Sequence, residues 1–144
     1  MRVLAMAAAC AALVACAPPE TAELTGDALV ARGDYLVNNV VLCSDCHTPM
    51  GPEGPDHSRF LQGAPIVMTP SVQIPWGEYA PQLAGIPANF TDEQFVAFLQ
   101  TGVRPDGSHP RPPMPPYRLN EQDARAIAAY IATLPRAEDA QQQN

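Results

Sequence analysis

Five consecutive residues, Cys43-Ser44-Asp45-Cys46-His47, constrain this chain more than anything else in it. Two thiols three positions apart lie about one helical turn from each other, and an imidazole follows directly. Three chemistries use such a pair: a redox dithiol, a zinc site, and covalent attachment of c-type haem. A redox dithiol calls for a strand of a βαβ unit ahead of it, whereas an amphipathic stretch leads into Cys43. Zinc calls for further ligands, and the remaining cysteines, Cys10 and Cys16, stand in an N-terminal segment with a different purpose. Haem uses every residue of the pattern. Cys43 and Cys46 can reach both vinyl groups on one porphyrin edge as thioethers, and His47 follows as the proximal axial ligand of iron.

The N-terminal segment reads as a secretory signal: Arg2, then an apolar run from Val3 to Val14, then small residues. The run is too short to span a bilayer. Leu13-Val14-Ala15-Cys16 resembles the lipobox of bacterial lipoproteins, which implies cleavage after residue 15 and lipidation of Cys16. The predicted organisation is a signal peptide over 1–15, a lipidated N-terminus and polar tether over 16–26, one domain over 27–135, and a polar tail over 136–144. Related lipoproteins with alanine after the cysteine favour the outer membrane. Ordinary signal cleavage would instead leave a soluble periplasmic protein.

Three stretches carry helical periodicity. Leu29, Gly33, Leu36, Val37 and Val40 form one apolar stripe on a helix over about 27–41. Glycine inside a helix costs about 1 kcal/mol relative to alanine, so Gly33 suggests that another backbone passes close by. A second helix starts at Thr91, where Thr91 and Gln94 make a capping box and Phe90 and Phe95 a hydrophobic staple. Phe95, Phe98 and Leu99 form its buried face, and Gly102 ends it. The third is capped by Asn120 and carries Ala124, Ile127, Ala128, Ile131 and Leu134 on one side, with Pro135 closing it and Tyr130 on the same surface.

Between the first two helices, residues 48–89 contain eight prolines and five glycines and no period-2 run. A loop of that length in a one-domain chain of 144 residues must wrap something rigid, a role a bound cofactor fills.

The second axial position on iron is suited by Met114, which sits in Pro112-Pro113-Met114-Pro115-Pro116. The prolines restrict the backbone, and a soft thioether favours ferrous iron. Met50, Met68, His57 and His109 are alternatives for the same position. Met50 lies close in sequence to the attachment site, and His109 would give bis-histidine ligation. With His47 and Met114 both on iron, no site stays open for substrate, and the chain carries electrons without catalysing bond chemistry. A five-coordinate ligand sensor is the reading that Met114 opposes.

All eight basic residues are arginines, set against fifteen acidic ones for a net charge of −7. No basic run exists, which argues against nucleic-acid binding. The acidic balance suits a redox partner protein with a basic docking face.

Taken together, these blocks resemble the class I c-type cytochromes, especially the single-haem domains of bacterial periplasmic and dehydrogenase-associated electron-transfer proteins. The resemblance covers about 27–135 and is strongest in Ala31–Val37, Cys43–Pro49, Phe90–Gly107 and Pro113–Pro135. It implies an all-α, cytochrome c-like fold of about three main helices around one covalently bound haem c, with long Pro/Gly-rich loops. It places Cys43 and Cys46 as thioethers, His47 as proximal ligand and Met114 as distal ligand. It also implies that the first and last helices cross beside the haem, with Tyr35 and Tyr130 near the crossing. Residues 71–84 look like an insertion; Trp76, Arg59 and Arg104 are candidate contacts for the haem propionates. The implied function is a monohaem single-electron carrier in a periplasmic respiratory or dehydrogenase-linked chain, the alternative being a haem subunit of a larger membrane-associated oxidoreductase.

Overall fold

Helices supply most of the core and the middle segment adds Leu61, Leu83, Ala84 and Ile86 to it; the computed structural model describes residues 23–138. Cys16 and the signal segment lie outside that range. Helix α1 spans Gly26–Tyr35 and passes directly into a π-helical turn over Leu36–Val40. A five-residue helix, α2, holds Cys43–His47. Helix α3 spans Asp92–Thr101 and α4 spans Glu121–Thr133. An all-α, cytochrome c-like architecture is therefore present, joined by long irregular segments.

The π turn changes which residues of the first stripe are buried. Val41 N–H donates to Leu36 O at 2.8 Å, an i to i+5 bond that adds one residue to the turn. Leu36 and Val37 are buried as the periodicity predicts, but Val40 is 53% exposed and Val41 takes its place against the core. A 3.6-residue period does not anticipate the extra residue, which also re-aims the chain as it enters α2 through Leu42, at φ 57°.

The crossing of α1 and α4 explains Gly33. A Cβ at this position would lie 2.0 Å from Ala126 O and 2.7 Å from Tyr130 Cβ, so only a hydrogen atom fits between the two backbones. Arg32 and Asp123 clamp the same crossing with an ion pair at 2.9 Å. The pair lowers the Asp123 carboxyl below its usual range. Being partly solvated, it contributes far less than the packing beneath it.

Helix α3 follows its sequence signals closely. The Thr91 hydroxyl accepts from Gln94 N–H at 3.2 Å and the Gln94 side chain accepts from Thr91 N–H at 2.9 Å. Phe90 and Phe95 meet edge to face at 5.6 Å. Gly102 ends the helix at φ 70°, where a Cβ would meet Pro116 at 2.7 Å. Asn120 caps α4 by accepting from Asp123 N–H at 2.8 Å.

The long middle segment contains two minimal antiparallel ladders that its composition does not announce. Met50–Gly51 (β1) pairs with Gly54–Pro55 (β2), and Ala64–Pro65 (β3) with Tyr79–Ala80 (β4). The segment is also tied to the frame by single hydrogen bonds, from Gly63 N–H to His47 O and from Gly77 N–H to Pro112 O. At its far end Arg136 donates to the carbonyls of Gly85 and Ile86. Among the described residues, no helix is long and apolar enough to cross a membrane.

Candidate functional site

Helix α2 places Cys43, Cys46 and His47 along one wall of a cavity of about 660 Å³, within the range of cofactor sites. The two cysteines are half-buried free thiols. Burial pushes the Cys43 thiol up to about 12. At neutral pH it is thus protonated, unlike the low-pKa thiolate of a reactive redox pair. Among the described residues, no group of three or more His, Cys, Asp or Glu side chains is arranged to hold a metal ion.

His47 is buried at 5% exposure. Its Nδ1 lies 2.6 Å from Pro81 O, an atom that can only accept, so Nδ1 carries the proton and Nε2 keeps its lone pair. Desolvation lowers its pKa below the usual imidazole value, which favours the same neutral form. Such a hydrogen bond fixes ring orientation and raises ligand basicity. The next residue is fixed as well, since the buried Thr48 hydroxyl accepts from Leu61 N–H at 3.1 Å.

Met114 lines the same cavity, half-buried against the hydrophobic core. Met50, Met68, His57 and His109 do not line it. Met50 is 59% exposed and Met68 51% exposed, and His57 lies in an exposed 3₁₀ turn. The His109 ring is held instead by Gly102 O, at 3.0 Å from its Nδ1. The remaining walls are largely apolar: Phe90, Phe95, Phe98 and Leu99 from the α3 region, and Ile127 and Ile131 from α4.

Polar and charged side chains, Glu78 and Asn89 among them, complete the lining. Trp76 donates its indole N–H to Met68 O at 3.0 Å and borders the cavity. Arg104 borders it too, stacked 5.9 Å from the Phe98 ring centroid. Arg59 does not: it turns to Asp56 at 2.7 Å, away from the cavity, because its 3₁₀ turn supplies a nearer carboxylate. Arg111 takes a place on the lining that no motif predicted. Two further contributors escaped sequence reasoning. Pro81 acts through its carbonyl, which no side-chain pattern can signal. Tyr117, half-buried with its phenol pushed up to about 12 by desolvation, was detectable as an aromatic three residues past Met114.

A neighbouring hollow of about 870 Å³ lies under residues 66–78, lined by Met68, Val72 and Ile74 among others, and shares Ile66, Trp76 and Glu78 with the first cavity. It contains no thiol or imidazole, and Glu78 is its one charged residue. The chemistry belongs to the first cavity. A flat, mostly apolar group bearing carboxylates fits the residues there: paired thiols for covalent attachment, a nitrogen lone pair and a thioether for a metal, aromatic walls, and two guanidinium groups.

Comparison with known proteins agrees. Residues 30–135 match the family described as Cytochrome c. The chain is 35% identical over 107 residues to the fructose dehydrogenase cytochrome subunit of Gluconobacter japonicus, covering 72% of this chain and 21% of that protein. Over 113 residues it is 29% identical to the cytochrome c subunit of a quinone alcohol dehydrogenase from Gluconobacter oxydans, covering 76% and 22% respectively. A protein named as a diheme cytochrome c-type from Cereibacter sphaeroides is 31% identical over 114 residues, covering 74% of this chain and 36% of the relative. The chain thus spans only a fifth to about a third of the length of the curated relatives it matches. With this match over most of the chain and a site built for covalently bound haem, the chain belongs to the cytochrome c family.

Proposed function

We propose that this chain carries single electrons on one covalently attached haem c, held by Cys43 and Cys46 as thioethers, with His47 as proximal and Met114 as distal axial ligand. The observation that carries the reading is the pairing of a lone-pair Nε2, fixed by the Nδ1 to Pro81 O bond at 2.6 Å, with a thioether on the same cavity. Bound haem supplies an iron that changes oxidation state by one electron. The chain's own residues hold it, keep water away with the phenylalanine and isoleucine walls, and leave no position for a substrate. One attachment motif in the sequence corresponds to one haem.

Met114→Ala tests the axial assignment. The reduced variant should bind carbon monoxide readily, whereas the unmodified holoprotein should bind it weakly. Equal binding by both forms, with unchanged absorption spectra, would remove Met114 from iron.

Two relatives are named as cytochrome subunits of dehydrogenases, which favours a second role for this chain, as the haem subunit of a larger oxidoreductase complex. Purification separates the two roles, because a stable stoichiometric partner with dehydrogenase activity would replace the free carrier by the subunit. In either role the net charge of −7 suits a redox partner with a basic docking face. We assign residues 1–15 as signal peptide, 16–26 as lipidated tether, 27–135 as the haem domain and 136–144 as tail, placing the domain on the periplasmic side of a bacterial membrane, the outer one favoured. Cys16→Ala should move the protein from the membrane to the soluble fraction; persistence on the membrane would exclude lipid on Cys16 as the anchor.

A further inference from the structure

The loop that carries Met114 is held at several points. Leu119 N–H donates to Leu99 O at 3.1 Å, which fixes its end to α3. Gly77 N–H donates to Pro112 O at 2.7 Å on its other side. Pro116 packs on the Cβ-free face of Gly102. These bonds join the loop to α3 and to the middle segment, and none of them reaches the segment that carries the cysteines.

Tyr117 makes that remaining connection. Its hydroxyl donates to Val41 O at 2.9 Å, across 76 positions of sequence. Val41 is the first residue after the π turn and stands two before Cys43. The π turn buries Val41, and Leu42, at φ 57°, then turns the chain into α2. Tyr117, Met114 and Cys43 line one cavity. Pro115 and Pro116 lie between Met114 and Tyr117, so a movement of the ring is passed to the thioether with little slack.

We propose that Tyr117 is a positioning residue whose hydrogen bond to Val41 O ties the Met114 loop to the cysteine-bearing segment and thereby sets how readily another ligand displaces Met114. The inference rests on the reading of Met114 as distal ligand. The bond is made in the conformation in which Met114 lines the cavity. Its loss therefore weakens the methionine-bound state relative to one in which the loop has swung away.

Imidazole titration of the ferric, haem-loaded full chain provides the test, followed by the absorption change on ligand exchange. Tyr117→Phe should keep the resting spectrum of the unmodified protein while binding imidazole roughly fivefold to tenfold more tightly, the scale of one intramolecular hydrogen bond. Arg32→Ala, which removes the Arg32–Asp123 ion pair and loosens the α1–α4 crossing on a helix that does not line the cavity, should leave imidazole affinity unchanged. Met114→Ala should bind imidazole more tightly than either. If Met114→Ala tightens binding and Tyr117→Phe does not, the positioning role falls while the ligand assignment stands. If Arg32→Ala tightens binding as much as Tyr117→Phe, general loosening explains the effect and the positioning role falls again. If Met114→Ala changes nothing, the ligand assignment falls and this inference with it.

Discussion

Replacing both Cys43 and Cys46 by alanine should abolish covalent haem entirely, leaving no haem-dependent peroxidase stain at the position of this chain after denaturing electrophoresis. Both thiols border the cavity from α2, and no other cysteine is present beyond the N-terminal segment. Expression alongside the cytochrome c maturation machinery makes the assay decisive, and a stain that survives the double substitution would place attachment elsewhere. The loss should reach folding as well. Ile127 and Ile131 have no solvent exposure, and with Phe95 and Phe98 they form both core and cavity wall. A group bound only by the native state stabilises that state by mass action, and covalent linkage makes its effective concentration very high. The double variant should therefore unfold at markedly lower urea concentration than the holoprotein.

Gly33→Ala is expected to be the most damaging small substitution in the frame. Alanine normally favours a helix over glycine by about 1 kcal/mol. Here the added methyl would sit 2.0 Å from Ala126 O and 2.6 Å from its carbonyl carbon, backbone atoms that cannot rotate aside. Helices α1 and α4 must separate, at an expected net cost of about 3 kcal/mol or more, a large part of a typical domain's stability. Gly51→Ala is the matched control, since its Cβ would meet Gly54 O at 3.5 Å, an ordinary contact. Urea unfolding of the two holoproteins, followed by far-ultraviolet circular dichroism, should show a large drop in midpoint for Gly33→Ala and a small one for Gly51→Ala. Equal midpoints would mean that the crossing is looser than its geometry implies.

Helices α3 and α4 were legible because their signals are local. A capping box, a staple and a terminal glycine act within a few residues, and each appears where the sequence places it. The attachment motif was legible for the same reason. Gly33 was legible only in part: its cost in a helix announces a close neighbour, but Ala126 as that neighbour lies 93 positions away. Val40 was misread because one extra residue in a π turn shifts every later position on the stripe. The propionate candidates separated on similar grounds. Arg104 reached the cavity, while Arg59 found Asp56 three residues away.

By itself the sequence determined the haem-binding chemistry and the helices that frame it, because thiol spacing, an adjacent imidazole, caps and apolar periods are properties of neighbouring residues. Only the tertiary structure decided which methionine shares the cavity with His47, which carbonyl orients the imidazole, and which tyrosine ties the Met114 loop to the cysteines. Each of those relations joins residues 34 to 76 positions apart, or selects among candidates of one residue type by burial. Such choices depend on how loops rich in proline and glycine pack, and no local pattern in the chain encodes that packing.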